Sequence, residues 1–383
     1  MKKLSLPFLS LALLVSCGEK GNSEKAESDN ILEGLTYGVD TVVVDPGEDI
    51  IDLSNELRLG DVSTDRKYLY LFQDSDAKLV KVNLDELKLQ EKTPYEKEGP
   101  NGVGSYIWTI DAFSNDRLLL KTFNSAGIFD YQGKKHESID LSKEKITGIE
   151  EKNLQNNNLM ISKDLKWYFG IPGSAFDQEK TKVELAVIDR ESLEGKLFNM
   201  PALDNTQLFR LMLRTDDMIQ VYAEELFLSE HKEKFLISSS VTSDIYSFDP
   251  ASDSLSLHVI NPENLPKEKT DPPTQMEVTD RDTWKKEMEK VNAQVKYERL
   301  LWDESRGYFF RLASVLIPSM IDDVLSRRQV FLLVFDEGLN LLGEKELEEM
   351  ESVPSFPFFK DGKLYSYVNV EDELGFAVFT FNF

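Results

Sequence analysis

Cys17 is the only cysteine in the 383-residue chain, so no internal disulfide can form and its thiol is left for other chemistry. The thiolate is the best nucleophile among ordinary side chains near neutral pH. A lone thiol near the start of a chain is therefore a natural point for acylation. Other reactive types are sparse. His136, His231 and His258 lie far apart, without metal-ligand spacing. No HExxH, CxxCH, paired-cysteine zinc pattern, GxSxG, Walker loop or Rossmann fingerprint occurs. The sequence singles out no catalytic residue, no metal ligand and no cofactor site. Carboxylates are plentiful, so a carboxylate metal site stays open. Arg311 ends an aromatic strand-like run, where a salt bridge is its simplest role.

The flanks of Cys17 say what its thiol is for. Lys2 and Lys3 make a short positive start, and residues 4–16 follow as a 13-residue, mostly apolar run. A membrane-spanning helix needs about 20 such residues, so this run reads as a signal peptide over residues 1–16. Leu14-Val15-Ser16-Cys17 resembles the bacterial lipobox. That resemblance implies a diacylglycerol on the Cys17 thiol, cleavage before it and acylation of the new amine. Two or more acyl chains anchor stably, at about 0.8 kcal/mol per buried CH₂. Residues 17–34 then form the acylated cysteine and a polar tether, with a reach of roughly 20 Å. The expected location is the cell envelope: an outer-membrane lipoprotein facing the periplasm or the cell surface.

The formal charge of −25 makes the surface strongly acidic, and losing Lys2 and Lys3 with the leader makes it more so. Such a surface repels phosphate backbones, which disfavours nucleic-acid binding. Hydrophobic residues at 41% and aromatics at 10% supply a sizeable core, which must hold without disulfides.

That core is organised by a repeat. An apolar residue followed by Asp or Asn closes short β-rich runs at Val82-Asn83, Phe129-Asp130, Ile188-Asp189, Phe248-Asp249, Phe335-Asp336 and Phe381-Asn382. The successive spacings are 47, 59, 60, 87 and 46 residues. Before each stands another strand-like run opened by a charged turn, such as "DRKYLYLF" and "HKEKFLISS". The pattern predicts an all-β domain over residues 35–383, a six-bladed β-propeller of four-stranded blades, with seven blades as the alternative. "IQVYAEELFLSE" is expected to open the fourth blade. The sixth has only "SFPFFKD", "KLYSYVN" and "FAVFTFN", while "VDTVVVD" at 39–45 belongs to no early blade. The expectation is that 39–45 pairs with 376–382, closing the ring and removing a bare sheet edge.

At this point the chain resembles the six-bladed propeller lipoproteins of Bacteroidetes in the family DUF4221. The resemblance rests on Cys17, "TVVVD", "EKEGPNGVGSYI" at 96–107 and "YERLLWDESRGYFFRLAS" at 297–314. It covers essentially the whole mature chain. It implies fold and anchoring, and it carries over no catalytic residue because the family has no established activity.

Long insertions crowd one expected rim: 99–106, 170–182, 205–217, 261–297 and 313–329. The glycines of 99–106 predict a turn. Within 261–297, Trp284, Met288, Val291 and Val295 recur at helical spacing, predicting an amphipathic helix near 280–298 that packs on the rim. Thr279 with Asp282 is the expected cap. Tyr106, Phe176, Arg210, Arg214 and Arg311 are the candidate rim anchors, since aromatics and arginine dominate binding hot spots. The opposite rim, made of tight turns, offers little room for recognition. Two functions follow: a membrane-anchored, non-enzymatic binding or scaffold module contacting an envelope protein or glycan, or a propeller hydrolase or lyase acting on an extracellular glycan or lactone.

Overall fold

The computed structural model describes residues 30–383 except 114–115, 123–124, 143–144, 150–153, 155–158, 174–181 and 318–326. Cys17 and Phe176 lie outside the described residues.

Five antiparallel four-stranded sheets follow one another along the chain, each with its strands in sequence order. The first holds Gly60–Val62, Tyr68–Gln73, Lys78–Asn83 and Lys88–Pro94. The second holds Ile107–Phe113, Arg117–Thr122, Ala126–Asp130 and Lys135–Ile139. Met160–Ile161, Trp167–Gly170, Glu184–Asp189 and Gly195–Asn199 make the third. Leu226–His231, Lys234–Ser239, Ile245–Asp249 and Ser254–His258 make the fourth. The fifth is Lys296–Asp303, Tyr308–Ile317, Arg327–Phe335 and Leu341–Glu346.

The sixth sheet joins the two ends of the described chain. Phe358–Lys360, Lys363–Val370 and Glu373–Asn382 are completed by Thr36–Val43 from the other end. The register sets Val39 opposite Phe379 and Val43 opposite Gly375. The chain then leaves this sheet, and Asp45 bridges to Lys88 of the first. The strand begins earlier and stops sooner than residues 39–45, but it takes the expected partner.

Burial explains why the repeat is visible in the sequence. The second strands "YLYLFQ" and "RLLLKT" are buried at every position after the first. They are covered on both faces, so they read as continuous apolar runs instead of alternating ones. The fourth strands "KLQEKTP" and "KHESI" are mostly polar and mix exposed with half-buried positions. Each neighbouring pair of sheets shares one apolar cluster. Tyr70 and Phe129 join the first to the second, Ile128 and Tyr168 the second to the third, and Phe169 and Phe235 the third to the fourth. Ile245 and Phe331 join the fourth to the fifth, Phe310 and Phe359 the fifth to the sixth, and Phe376 and Leu69 the sixth back to the first. This sheet-by-sheet packing is propeller-like.

One further sheet interrupts the pattern. Arg210–Arg214 pairs antiparallel with Ile219–Ala223 and parallel with Glu277–Val278. "IQVYAEELFLSE" is thus two strands, a correction to the single strand expected. The break falls at Glu224, which turns into a buried ion pair.

The insertion's α-helix spans Arg281–Asn292, shorter than the expected 280–298. Asp280 caps it by accepting from the Thr283 N–H at 2.8 Å, in place of the expected Thr279 and Asp282. Trp284 and Met288 pack on Leu211, Leu213 and Val278, and Val291 on Phe209 and Val241. The apolar stripe therefore faces the protein's own rim. Val295 lies beyond the helix, in the cluster joining the fourth and fifth sheets. No helix among the described residues is long and apolar enough to cross a membrane.

Candidate functional site

Arg311 sits in the second strand of the fifth sheet, opposite Leu300 and Leu333, and is 0% exposed. Its partners are main-chain carbonyls, not the salt-bridge carboxylate that its type suggested. Nε donates to Glu298 at 2.7 Å, Nη1 to Ser243 at 2.8 Å, and Nη2 to Ser239 at 2.8 Å and Thr242 at 3.3 Å. The guanidinium lies 4.8 Å from the centre of the Tyr297 ring. Burial pushes its pKa down to about 10, while Tyr297, Glu298 and Asp244 oppose the shift, so it stays charged at neutral pH. Arg311 is a clamp across the turn after Lys234–Ser239. It is not an exposed anchor, which corrects the sequence expectation.

The same turn is held from its other side. Ser243 Oγ donates to the Ile260 carbonyl at 2.8 Å, and Asp244 accepts from the Ile260 N–H at 2.9 Å. Ser239 and Thr206 share a hydroxyl hydrogen bond of 2.6 Å. Next to it, Lys269 Nζ meets Glu224 Oε1 at 2.6 Å, with side-chain exposures of 1% and 0%. Tyr222 and Ser240 hydroxyls also donate to the Glu224 carboxylate. Burial favours the neutral acid, but Lys269 and these hydroxyls outweigh it and hold the carboxyl below its usual range. Burial draws Lys269 down, with Glu224 opposing. Lys269 Nζ donates further to the Val291 carbonyl at 3.1 Å, near the helix's C-terminal end. Charged and hydroxyl groups thus fix the insertion to the rim with their hydrogen bonds satisfied, the condition under which buried polar networks rigidify a structure.

A second polar group links the first strands of the first two sheets. Asp61 accepts from the Val62 N–H and the Ala112 N–H, each at 2.8 Å. Burial, reinforced by the charge of Asp111, pushes its carboxyl up to about 6. Asp111 pairs with Lys121 at 2.9 Å, and Lys121 also donates to the Leu159 carbonyl at 2.8 Å. A carboxyl pushed up to about 6 by burial and by the Asp111 carboxylate, with the Arg66 guanidinium opposing, has the chemistry of a proton donor and acceptor. Among the described residues, no group of three or more His, Cys, Asp or Glu is arranged to hold a metal ion.

A family model described as a domain of unknown function, DUF4221, matches residues 28–346. The chain belongs to this family. A crystal structure of a DUF4221 family member from Bacteroides vulgatus superposes with a TM-score of 0.62 at 14% identity, over 91% of this chain and 98% of that one. A Bacteroides fragilis protein described as exported gives a TM-score of 0.49 at 6% identity, over 90% of this chain and 95% of that one. The WD40 domain of Neurospora crassa Pan2 gives 0.37 at 7% identity, over 84% and 88%. At 14% identity the likeness to the DUF4221 structure concerns fold alone. No curated protein matches the sequence.

In this DUF4221 protein the rim candidates separate into exposed and buried. Tyr106 is 77% exposed, where the chain enters the second sheet. Arg214 is exposed and pairs with Glu277 at 3.2 Å. Arg210 is only 5% exposed, so like Arg311 it is not a surface anchor. Its strand is covered by Ile219–Ala223 on one edge and by the short parallel strand near the other, a packing that sequence alternation does not reveal. Tyr106 precedes the first strand of the second sheet, whereas Arg214 ends a strand of the extra sheet.

Trp108 was missed, although it is 46% exposed. Alternation does not signal it, because Tyr106 precedes the strand with φ of +58° and the register is irregular between Ile107 and Thr109, where Trp108 sits. The loop before them is a structural turn. Gly99 and Gly104 have φ of +92° and +85°, and a Cβ at Gly102 would meet the Glu98 backbone at 2.8 Å. The Gly102 N–H is spent on the Gly99 carbonyl at 3.0 Å and the Val103 N–H on the Glu96 carbonyl at 2.9 Å.

Proposed function

We propose that this protein is a six-bladed propeller lipoprotein of the outer membrane that serves as a non-enzymatic binding module on the cell envelope. Acyl chains on Cys17 hold it to the membrane, and the insertion rim meets an envelope protein or glycan. Six blades are supported by the six apolar clusters that join each four-stranded sheet to the next and the last to the first. The observation that carries the binding reading is the contrast at the rim. The largest insertion is fixed at the fourth and fifth sheets by buried groups such as Glu224 and Lys269, while Tyr106 and Trp108 stand exposed where the chain enters the second sheet. Exposed aromatic anchors that follow a turn held by its own main-chain hydrogen bonds carry a lower ordering cost on association.

The test is affinity capture from native membranes with the acylated protein and its Tyr106→Ala and Trp108→Ala variants. A specific partner retained by the parent and lost by both variants, with melting temperature unchanged, supports the reading. Capture that survives both substitutions overturns it.

The Asp61 carboxyl favours a second reading, a hydrolase or lyase acting on an extracellular glycan or lactone. Turnover of such a substrate that disappears in Asp61→Asn, with the fold retained, would favour it over the first.

A further inference from the structure

Connections from third to fourth strand lie on the rim opposite the insertions, where the sequence predicts little room for recognition. Between the third and fourth sheets that rim nevertheless opens into a cleft of about 380 Å³. Small-molecule sites fall at about 300–1,000 Å³, so the cleft suits a small ligand. Its apolar lining comes from Val187 and Phe248, which are 5% and 1% exposed, and from the half-buried Trp167. Phe248 is fixed by contacts with Phe169 and Phe198, with ring centres 6.0 and 4.8 Å away.

The polar lining is acidic. Asp189, Glu194 and Asp253 stand around the cleft with one lysine, Lys196. Lys196 Nζ meets Asp253 Oδ2 at 2.5 Å, an ion pair linking the outer strand of the third sheet to the last turn of the fourth. Both side chains are more than half exposed, at 59% and 51%, and such pairs are weak and exchange readily. Asp189 accepts from the Ser192 N–H at 2.8 Å and the Glu191 N–H at 2.9 Å, which holds its carboxyl below the usual range and keeps it anionic. With three carboxylates and one ammonium, the cleft carries a net charge of −2.

We propose that this cleft binds a small organic cation with a flat apolar body. The cationic head meets the carboxylates of Asp189, Glu194 and Asp253 beside the Trp167 indole, and the body lies against that indole, which the buried Phe248 backs. Indole gives the strongest cation–π attraction among side chains, and the ligand's own apolar surface leaves water when it lies against Trp167. Anions are repelled by the lining and by the overall charge. A neutral sugar could stack on the indole but gains nothing from the excess carboxylate. The site lies on the rim opposite Tyr106 and Trp108, so its failure would leave the rim reading intact.

The test uses the full chain and isothermal titration with benzyltrimethylammonium, benzyl alcohol, benzoate and glucose. The expected result is binding of benzyltrimethylammonium alone, weakening as salt is raised. Glu194→Gln should weaken it roughly 3- to 10-fold, and Lys196→Gln should tighten it about threefold by freeing Asp253. Trp167→Leu should also weaken it. Because Trp167 is half-buried, the two exposed substitutions on Gly195–Asn199 and its flank decide the matter if that variant misfolds. No heat with benzyltrimethylammonium up to about 10 mM overturns the proposal. So does equal binding of glucose or benzyl alcohol, or an affinity that neither Glu194→Gln nor Lys196→Gln changes.

Discussion

Glu224 and Lys269 meet at 2.6 Å with neither side chain more than 1% exposed, and this pair fixes the largest insertion to the body of the protein. Glu224 follows a strand of the extra sheet, while Lys269 comes from the loop that leads to the helix. Removing one partner leaves the other charged and buried, which costs about 3–5 kcal/mol, whereas replacing both by uncharged groups of similar volume is far milder. Lys269→Met should therefore destabilise the protein by that amount in urea unfolding, and Lys269→Met with Glu224→Gln by clearly less. Equal losses in the single and double variants would show that the pair does not act as a unit.

The contact of Val39 with Phe379 predicts what truncation does. Deleting residues up to 46 removes the outer strand of the sixth sheet and leaves the edge of Glu373–Asn382 bare. Unpaired edges recruit other chains. The truncated protein should elute as aggregate in size-exclusion chromatography, with faster hydrogen exchange along 373–382. A monomer with unchanged protection would rule out a structural role for the strand.

Asp61 predicts a pH dependence of definite sign. Its folded carboxyl is pushed up to about 6, above the usual value of 3.8, because burial and Asp111 disfavour the charge. Between these values the folded state binds more protons than the unfolded one, so this group's contribution to stability declines as pH rises from about 4 to about 6. Asp61→Asn cannot ionise and loses that slope, at the expense of one accepted N–H bond. The stability difference between parent and variant should then be larger at pH 4.5 than at pH 8 in paired urea titrations. A constant difference would place the carboxyl at its ordinary pKa.

Cys17 predicts the anchor. Expressed with its leader, the protein should partition into membranes and carry acyl mass on a chain that begins at Cys17. Cys17→Ala should lose lipid labelling and membrane association together. Intact mass showing a bare thiol on membrane-extracted protein would refute acylation.

The strands and their order were legible in the sequence because their causes are local. Turns such as Asp361-Gly362 are written in residue type, with φ of +51° and +74°, and runs such as "YLYLFQ" advertise burial on two faces. The pairing of Thr36–Val43 with Glu373–Asn382 was legible by counting, since one end lacked a strand and the other had one to spare. The exposure of Trp108 was not legible, because the strand register is irregular between Ile107 and Thr109. Tertiary structure alone decided the fate of the charges. Arg210 and Arg311 look like surface anchors in one dimension because charged side chains are rarely buried without partners. Arg311 is buried because the carbonyls of Ser239, Thr242 and Ser243, far away in the chain, converge on its guanidinium. The split of "IQVYAEELFLSE" has the same origin, since Glu224 leaves the strand direction to reach Lys269. Strand pattern follows from each residue and its near neighbours, whereas the position of a buried charge depends on partners that only the folded chain brings within hydrogen-bonding distance.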